Sequence, residues 1–311
     1  MTQQADALIE QAVAYARRNQ GVFLERFQEF LRIPSISGDS AYQEEVRRAG
    51  EWLVGEMARI GFKNCQTLAS SGHPVAYGEW LEAGDDQPTL LVYAHYDVQP
   101  VDPLELWKSP PFEPAIRDGR LYARGVIDNK CGAYVNLKAF ESLFETAGRL
   151  PVNIKLFFEG EEESGSPSMQ PLIAEHRDLL EADLLILSDG SSLPDQPKCL
   201  SSTRGIAIGE VTVSGPKRDL HSGTYGGFVH NPAHLVAEII AACHDSEGHI
   251  QIPGFYDDVQ PAPPAVLAQM KASEPVLLPE YRSRSGVKAF WGVPGYEILE
   301  RGTSRPTLDV N

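Results

Sequence analysis

The stretch Leu90-Leu91-Val92-Tyr93-Ala94-His95-Tyr96-Asp97-Val98-Gln99-Pro100 decides how the chain is read. Residues 90–94 are a short apolar run of the kind that makes a strand buried on both faces. The run stops at His95 and Asp97, two polar groups one residue apart. On an extended backbone, positions i and i+2 point the same way, so an imidazole and a carboxylate leave the strand together. In open α/β sheets, ligands bind at the carboxyl edge of the strands. A metal-ligating histidine usually gives its second ring N–H to a carboxylate, which fixes its tautomer and orientation. His95 and Asp97 therefore read as a ligand and its orienter, against the plainer alternative of a structural histidine at a strand end.

The same pattern recurs downstream. The apolar run 152–158 ends in Glu159-Gly160-Glu161-Glu162-Glu163-Ser164-Gly165-Ser166, and the run 184–187 ends in Ser188-Asp189-Gly190. Between them, a proline-rich loop over 99–120 leads to Ala123-Arg124-Gly125-Val126-Ile127-Asp128-Asn129-Lys130-Cys131-Gly132, and a helix is predicted over about 131–147. Upstream, apolar spacing over 4–32 suits two helical pieces broken near Asn19-Gln20-Gly21. Ile33-Pro34-Ser35-Ile36-Ser37-Gly38 reads as a loop. Ser40-Ala41-Tyr42-Gln43 has the form of a capping box for a helix that Gly61 ends. Strands alternating with helices predict an α/β fold with a mainly parallel sheet flanked by helices. Three buried strands ending in His95/Asp97, Glu162/Glu163 and Asp189 would bring those groups to one sheet edge.

Near residue 205 the character changes. Residues 206–213 alternate like a half-exposed antiparallel strand, 215–227 is glycine-rich and holds His221, and Asn231-Pro232 opens a helix over 231–243. Residues 252–285 read as loop with short helical pieces. Two domains are expected, 1–204 and 205–311. The final Arg305-Pro306-Thr307-Leu308-Asp309-Val310-Asn311 looks like an unfinished strand, so the chain is expected to be C-terminally incomplete.

Composition narrows the function. With 27 Lys and Arg against 43 Asp and Glu, the net charge is −16, which excludes a nucleic-acid surface and argues against adhesion to anionic membranes. Cys65, Cys131, Cys199 and Cys243 are scattered without a CxxC pair, so neither a disulfide framework nor a thiolate zinc site is expected, and a cytoplasmic setting fits. The candidate ligands are His95, Asp128, Glu163 and Asp189, with Asp97 and Glu162 beside them. One imidazole with several carboxylates suits zinc, manganese or cobalt in a two-metal hydrolytic site. Glu162 and Glu163 can divide the work between proton transfer and metal binding. Each residue also has a plainer reading. Asp128 can cap the following helix, Asp189 can serve a turn, residues 161–163 can be a solvated acidic turn, and His221 can be a surface histidine.

Five motifs then stand in order: His95-Tyr96-Asp97-Val98-Gln99-Pro100, Gly125-Val126-Ile127-Asp128-Asn129-Lys130, Glu162-Glu163-Ser164-Gly165-Ser166, Ser188-Asp189, and Asp219-Leu220-His221-Ser222-Gly223. In these the chain resembles the di-zinc aminoacylase/carboxypeptidase/dipeptidase metallopeptidases, most of all their cytosolic non-specific dipeptidase branch, over nearly its whole length. The resemblance implies a catalytic domain with an inserted α+β lid and dimerisation domain. It implies that His95 binds one metal with Asp97 orienting it, that Asp128 bridges two ions, and that Glu163 and Asp189 each bind one. It makes Glu162 the general base and acid, and His221 the group that polarises the scissile carbonyl across a homodimer. Zinc and small peptides are the implied cofactor and substrate. An N-acyl- or N-succinyl-amino-acid deacylase and a catalytically silent dimeric scaffold are the alternatives. Two departures stand out: Cys131 occupies a usual glycine position, and no residue matches the family's second histidine ligand or its substrate-carboxylate binders.

Overall fold

The run ending in His95 is a strand, and strands flank it on both sides. The computed structural model describes residues 3–190 and 203–310. The chain divides into two units, Met1–Lys198 and Cys199–Asn311.

In the first unit, helices α1 (Gln3–Arg18), α2 (Gln20–Leu31) and α3 (Gln43–Ile60) precede strands β1 (Lys63–Leu68), β2 (Val75–Trp80) and β3 (Thr89–His95). A hairpin of β4 (Ala115–Arg117) and β5 (Arg120–Tyr122) leads to α4 (Lys130–Ala147), β6 (Asn153–Glu159), α5 (Met169–Glu175), α6 (Arg177–Leu180) and β7 (Leu184–Leu187). The five-stranded sheet has the order β1-β2-β6-β3-β7. Only β6, β3 and β7 run parallel; β2 is antiparallel to β6, and β1 to β2. The expected mainly parallel sheet is thus a mixed one, because the short connection between β1 and β2 permits a hairpin where a parallel pair needs a long crossover.

Period-two alternation sorts the central strands between two cores. Ile154, Leu156 and Phe158 of β6 join Val92 and Ala94 of β3 beneath α3 and α4, where Leu53, Met57 and Leu137 are fully buried. Phe157, Tyr77 and Val75 face the other way, against Leu172 of α5 and Leu180 of α6. Strand β7 departs from expectation. It pairs only with β3, and all four of its side chains are exposed, so it is an edge strand among the described residues and not a buried one.

Local differences have local causes. Ser40 does not cap α3: Asp39 caps a 3-10 turn, Ser40–Tyr42, by accepting from the Ala41 N–H, and α3 begins after it. In the second unit, α7 (Ser222–Tyr225), α8 (Pro232–Ala242), α9 (Pro264–Ser285) and α10 (Ile298–Thr303) are the regular elements among the described residues. Asn231 caps α8 and Pro232 occupies its first turn. Residues 206–213 form no strand: a ladder needs a partner, none of the described residues supplies one, and Ile206 and Ile208 are exposed. The 252–285 segment contains the 22-residue α9, with Pro275 and Pro279 inside it. Their spacing of four puts both on one helix face.

A buried ion cluster ties three helices of the first unit together. Glu56 of α3, its side chain fully buried, accepts from Arg26 of α2 (2.6 Å), Arg59 of α3 (2.8 Å) and Lys138 of α4. Glu141 closes the cluster on Lys138 (2.7 Å) and Arg59 (2.8 Å). Burial alone would raise the Glu56 carboxyl, but the bonds from Arg59, Lys138 and Arg26 outweigh it and hold its pKa at about 2. Replacing Glu56 by Ala breaks its buried pair with Lys138 and is expected to cost about 3–5 kcal/mol in urea unfolding at neutral pH. Because the folded pKa lies below the ordinary glutamate value of 4.5, the Glu56 contribution is fully present above that value and fades as the pH falls toward 2. The difference between parent and Glu56→Ala should shrink over that window.

Candidate metal centre

Sheet register brings the polar groups together. In the parallel pair β3–β6, His95 stands level with Glu159, and the chain leaving β6 turns directly into the 3-10 turn Glu162–Ser164. In the pair β3–β7, Tyr93 stands level with Leu187, and the Ser188 N–H continues the ladder to the Tyr93 carbonyl (2.8 Å). Asp189 therefore emerges beside His95. The Nε2 of His95 lies 3.1 Å from Asp128 Oδ1, 3.5 Å from Asp189 Oδ2 and 3.8 Å from Glu162 Oε2. Two triads, His95/Asp128/Asp189 and His95/Glu162/Glu163, each offer donor atoms within 4.8 Å of one another.

The start of α4 delivers Asp128. The helix is capped not by Asp128 but by Asn129, whose side chain accepts from the Gly132 N–H (3.1 Å) and donates to the Ser188 carbonyl (2.9 Å). That leaves the Asp128 carboxylate free for the cluster. A Cβ on Gly132 would fall 2.1 Å from both Asn129 Oδ1 and the Ser188 carbonyl oxygen, so only glycine lets the helix start close on the Asp189 turn.

Around this cluster a layer of hydrogen bonds fixes orientation. His95 Nδ1 lies 3.2 Å from the main-chain oxygen of Asp97 and 3.4 Å from its carboxylate Oδ1. A carbonyl can only accept, so Nδ1 carries the proton, and Nε2 is the ring nitrogen turned toward the acids, where a cation could be held. The fully buried Asp97 carboxylate accepts from the Glu162 N–H (3.2 Å), the Glu163 N–H (3.0 Å) and Ser37 Oγ (2.5 Å). Gln99 donates to Glu163 Oε2 (2.8 Å). Ser37, Gln99 and Asn129 were not among the candidates. The visible sign for Ser37 was the alternation of Ser35 and Ser37 between apolar neighbours; for Asn129, its position one residue before a helix. His221 belongs to the second unit, where its Nδ1 accepts from the Gly223 N–H (3.0 Å).

The charges are strongly coupled. Burial pulls the His95 imidazole down, but its contact with Asp97 and the negative charges of Asp97, Asp189 and Glu162 prevail and raise its pKa to about 9. Glu162 is raised by burial and by Glu163, Asp189 and Asp97, against the lowering influence of His95. Glu163 is raised by burial and by Asp128 and Asp97, against Gln99 and His95.

Residues 91–291 match the model of peptidase family M20/M25/M40. The chain belongs to this family. It is 30% identical to the Beta-Ala-His dipeptidase of Homo sapiens over 98% of its own length and 63% of that enzyme's. It is 32% identical to the Cys-Gly metallodipeptidase of Candida albicans over 77% of its own length and 53% of that enzyme's. An M20 family metallo-carboxypeptidase from Sulfolobus solfataricus superposes with a TM-score of 0.73 at 33% identity, over 92% of this chain and 64% of that one. Human carnosine dipeptidase 1 superposes with a TM-score of 0.72 at 27% identity, over 98% of this chain and 66% of that one. The chain thus spans less than two thirds of the length of these curated relatives.

The residues of this M20 chain fit a divalent cation. One imidazole and several carboxylates are hard and borderline donors suited to zinc, manganese or cobalt. Burial and, after it, acidic neighbours raise Glu162 and Glu163, and a cation relieves the repulsive part of that. A cation on His95 must displace the proton that the metal-free site holds up to about pH 9. Apparent zinc affinity is therefore expected to climb by up to roughly tenfold per pH unit from about pH 6 to about pH 8. Chelator-competition titrations across that range check it; a flat profile would contradict a ligating His95.

Proposed function

We propose that this chain carries the catalytic centre of a metal-dependent dipeptidase, hydrolysing the amide bond of small peptides that end in a free carboxylate. The family membership supports hydrolysis, and the relatives named for Beta-Ala-His and Cys-Gly dipeptides support that substrate class over acylated amino acids. His95, Asp128, Glu163 and Asp189 would hold two divalent ions, zinc being favoured by the imidazole and carboxylate set. When bound, such ions supply Lewis-acid polarisation of the carbonyl and lower the pKa of a water molecule.

The observation that carries the assignment of Glu162 is a contrast between neighbours. Gln99 pins the Glu163 carboxylate. Among the described residues, no hydrogen bond holds the Glu162 carboxylate, although it stands beside the His95 ring and is partly open to solvent. A pinned acid suits ligation, and an unpinned one suits moving a proton. Glu162, raised by burial and by its acidic neighbours, takes the proton of the attacking water and hands it to the leaving amine nitrogen. Asp97 holds His95 and the glutamate turn in place throughout. The reading extends to a cytoplasmic homodimer built on residues 205–311, in which His221 polarises the scissile carbonyl.

Purified protein supplied with zinc or manganese is expected to hydrolyse Beta-Ala-His or Cys-Gly and to leave N-acetyl and N-succinyl amino acids largely intact. The reverse preference would replace this reading by the deacylase one. Glu162→Ala should keep its metal content and lose about 10²–10⁴-fold in turnover. Asp128→Ala should lose metal; two ions retained in elemental analysis of that variant would rule out its place in the centre.

A further inference from the structure

The loop Ile33-Pro34-Ser35-Ile36-Ser37-Gly38 has no share in the proposed chemistry, yet it is fastened more tightly than a connection requires. Ile36 forms a parallel bridge with Val98, and the Val98 N–H donates to the Ser35 carbonyl (2.9 Å). In that register the two buried serines face the chain just beyond β3. Ser35 Oγ donates to the Tyr96 carbonyl (2.7 Å), and Ser37 Oγ to Asp97 Oδ2 (2.5 Å). Lys130, fully buried, anchors the start of the loop by donating to the carbonyls of Phe30 (3.0 Å) and Ile33 (2.5 Å). His73 Nε2 holds the other end, 3.1 Å from the Ser37 carbonyl.

Asp97 is the junction that this loop reaches. Its Oδ1 accepts from the Glu162 N–H and its Oδ2 from the Glu163 N–H, so the carboxylate plane sets the turn on which both acids ride. A carboxylate torsion is intrinsically broad. Ser37 supplies a side-chain hydroxyl that narrows it, from an element outside that turn.

The geometry points to Ser37 as a positioning residue of the metal centre: its hydroxyl locks the Asp97 carboxylate in the plane that places Glu162 and Glu163 opposite His95. Ser37 touches neither substrate nor ion; it acts through Asp97. The inference rests on the metallopeptidase reading for its consequence, but its first readout needs no metal.

The test compares Ser37→Ala, Ser37→Thr and Ser35→Ala in the full chain. Ser35→Ala removes another buried hydroxyl from the same loop without touching Asp97. In metal-free protein, Ser37→Ala is expected to speed amide exchange at Glu162 and Glu163 by about tenfold, with Ser35→Ala and Ser37→Thr close to the parent. By chelator competition, Ser37→Ala should bind zinc about 10–100-fold more weakly, and Ser37→Thr should restore the affinity. Parent-like exchange and zinc affinity in Ser37→Ala would overturn the proposal. So would equal losses in Ser35→Ala, which would mark a general loosening of the loop. If Ser37→Ala does not fold, Ser37→Cys, with similar volume and a weaker donor, carries the same comparison. A parent that binds no zinc would sink the metal reading, while the exchange comparison still decides for or against Ser37.

Discussion

The centre depends on one constraint: β6, β3 and β7 are parallel and end within two residues of one level. His95 opposes Glu159 across one ladder, and Tyr93 opposes Leu187 across the other. Groups distant in sequence are thereby brought to one edge without any loop having to reach for its neighbours. Residues 160–163 and 188–189 need only leave their strands by the shortest path. The start of α4 adds Asp128 from the side, and its fit rests on Gly132, where any side chain would collide with the Ser188 carbonyl. Backbone register thus does what flexible loops would do at a greater entropic cost.

The polar layer beneath the acids is as specific as the acids themselves. Asp97 does more than steer an imidazole. It accepts from the main chain of Glu162 and Glu163, so one carboxylate couples the ring of His95 to the turn that carries two of the acids. Displacement of the Ser37 loop would be felt at the ring and at the glutamates together. This coupling is short-range and runs through observed hydrogen bonds, and it needs no conformational switch.

Much of this arrangement is legible in the sequence, for physical reasons. Apolar runs that end abruptly in His95 and in the 159–163 acids are buried where they are apolar and open to chemistry where they stop, and the run before Asp189 follows the same pattern of termination at the sheet edge. What escaped a linear reading is whatever depends on partners. The antiparallel attachment of β2 and the exposed edge at β7 depend on which strand lies alongside. Prolines at 275 and 279 read as punctuation, yet α9 runs through both. Glu56 with Arg59, and Lys138 with Glu141, look in sequence like ordinary surface pairs three residues apart. Glu56, Lys138 and Glu141 are buried because α3 and α4 face each other, with Arg26 of α2 and Arg59 closing the cluster. Ser37 is a loop serine until the bridge between Ile36 and Val98 turns it toward Asp97.

The two polar clusters of the first unit show how the same groups yield opposite results. At Glu56, three cationic side chains surround one carboxylate, which stays ionised down to a pH of about 2. Donors and acceptors are matched there, so the cluster contributes to holding α2, α3 and α4 together and has no need of another ion. Around His95 the ratio is inverted: a single imidazole faces Asp97, Asp128, Glu162 and Asp189, with Glu163 adjoining. Two like charges about 4 Å apart repel by roughly 1–4 kcal/mol at the effective dielectric constants of water and protein surfaces. The proton on His95 offsets part of that, and its pKa climbs; those of Glu162 and Glu163 climb through burial first and their acidic neighbours second. Among the described residues this strand edge gathers negative charge around a single imidazole, and in the proposed metallopeptidase reading a divalent cation completes the charge balance. Unmatched electrostatics at this edge would then favour metal binding, whereas the matched electrostatics of Glu56 are a source of stability.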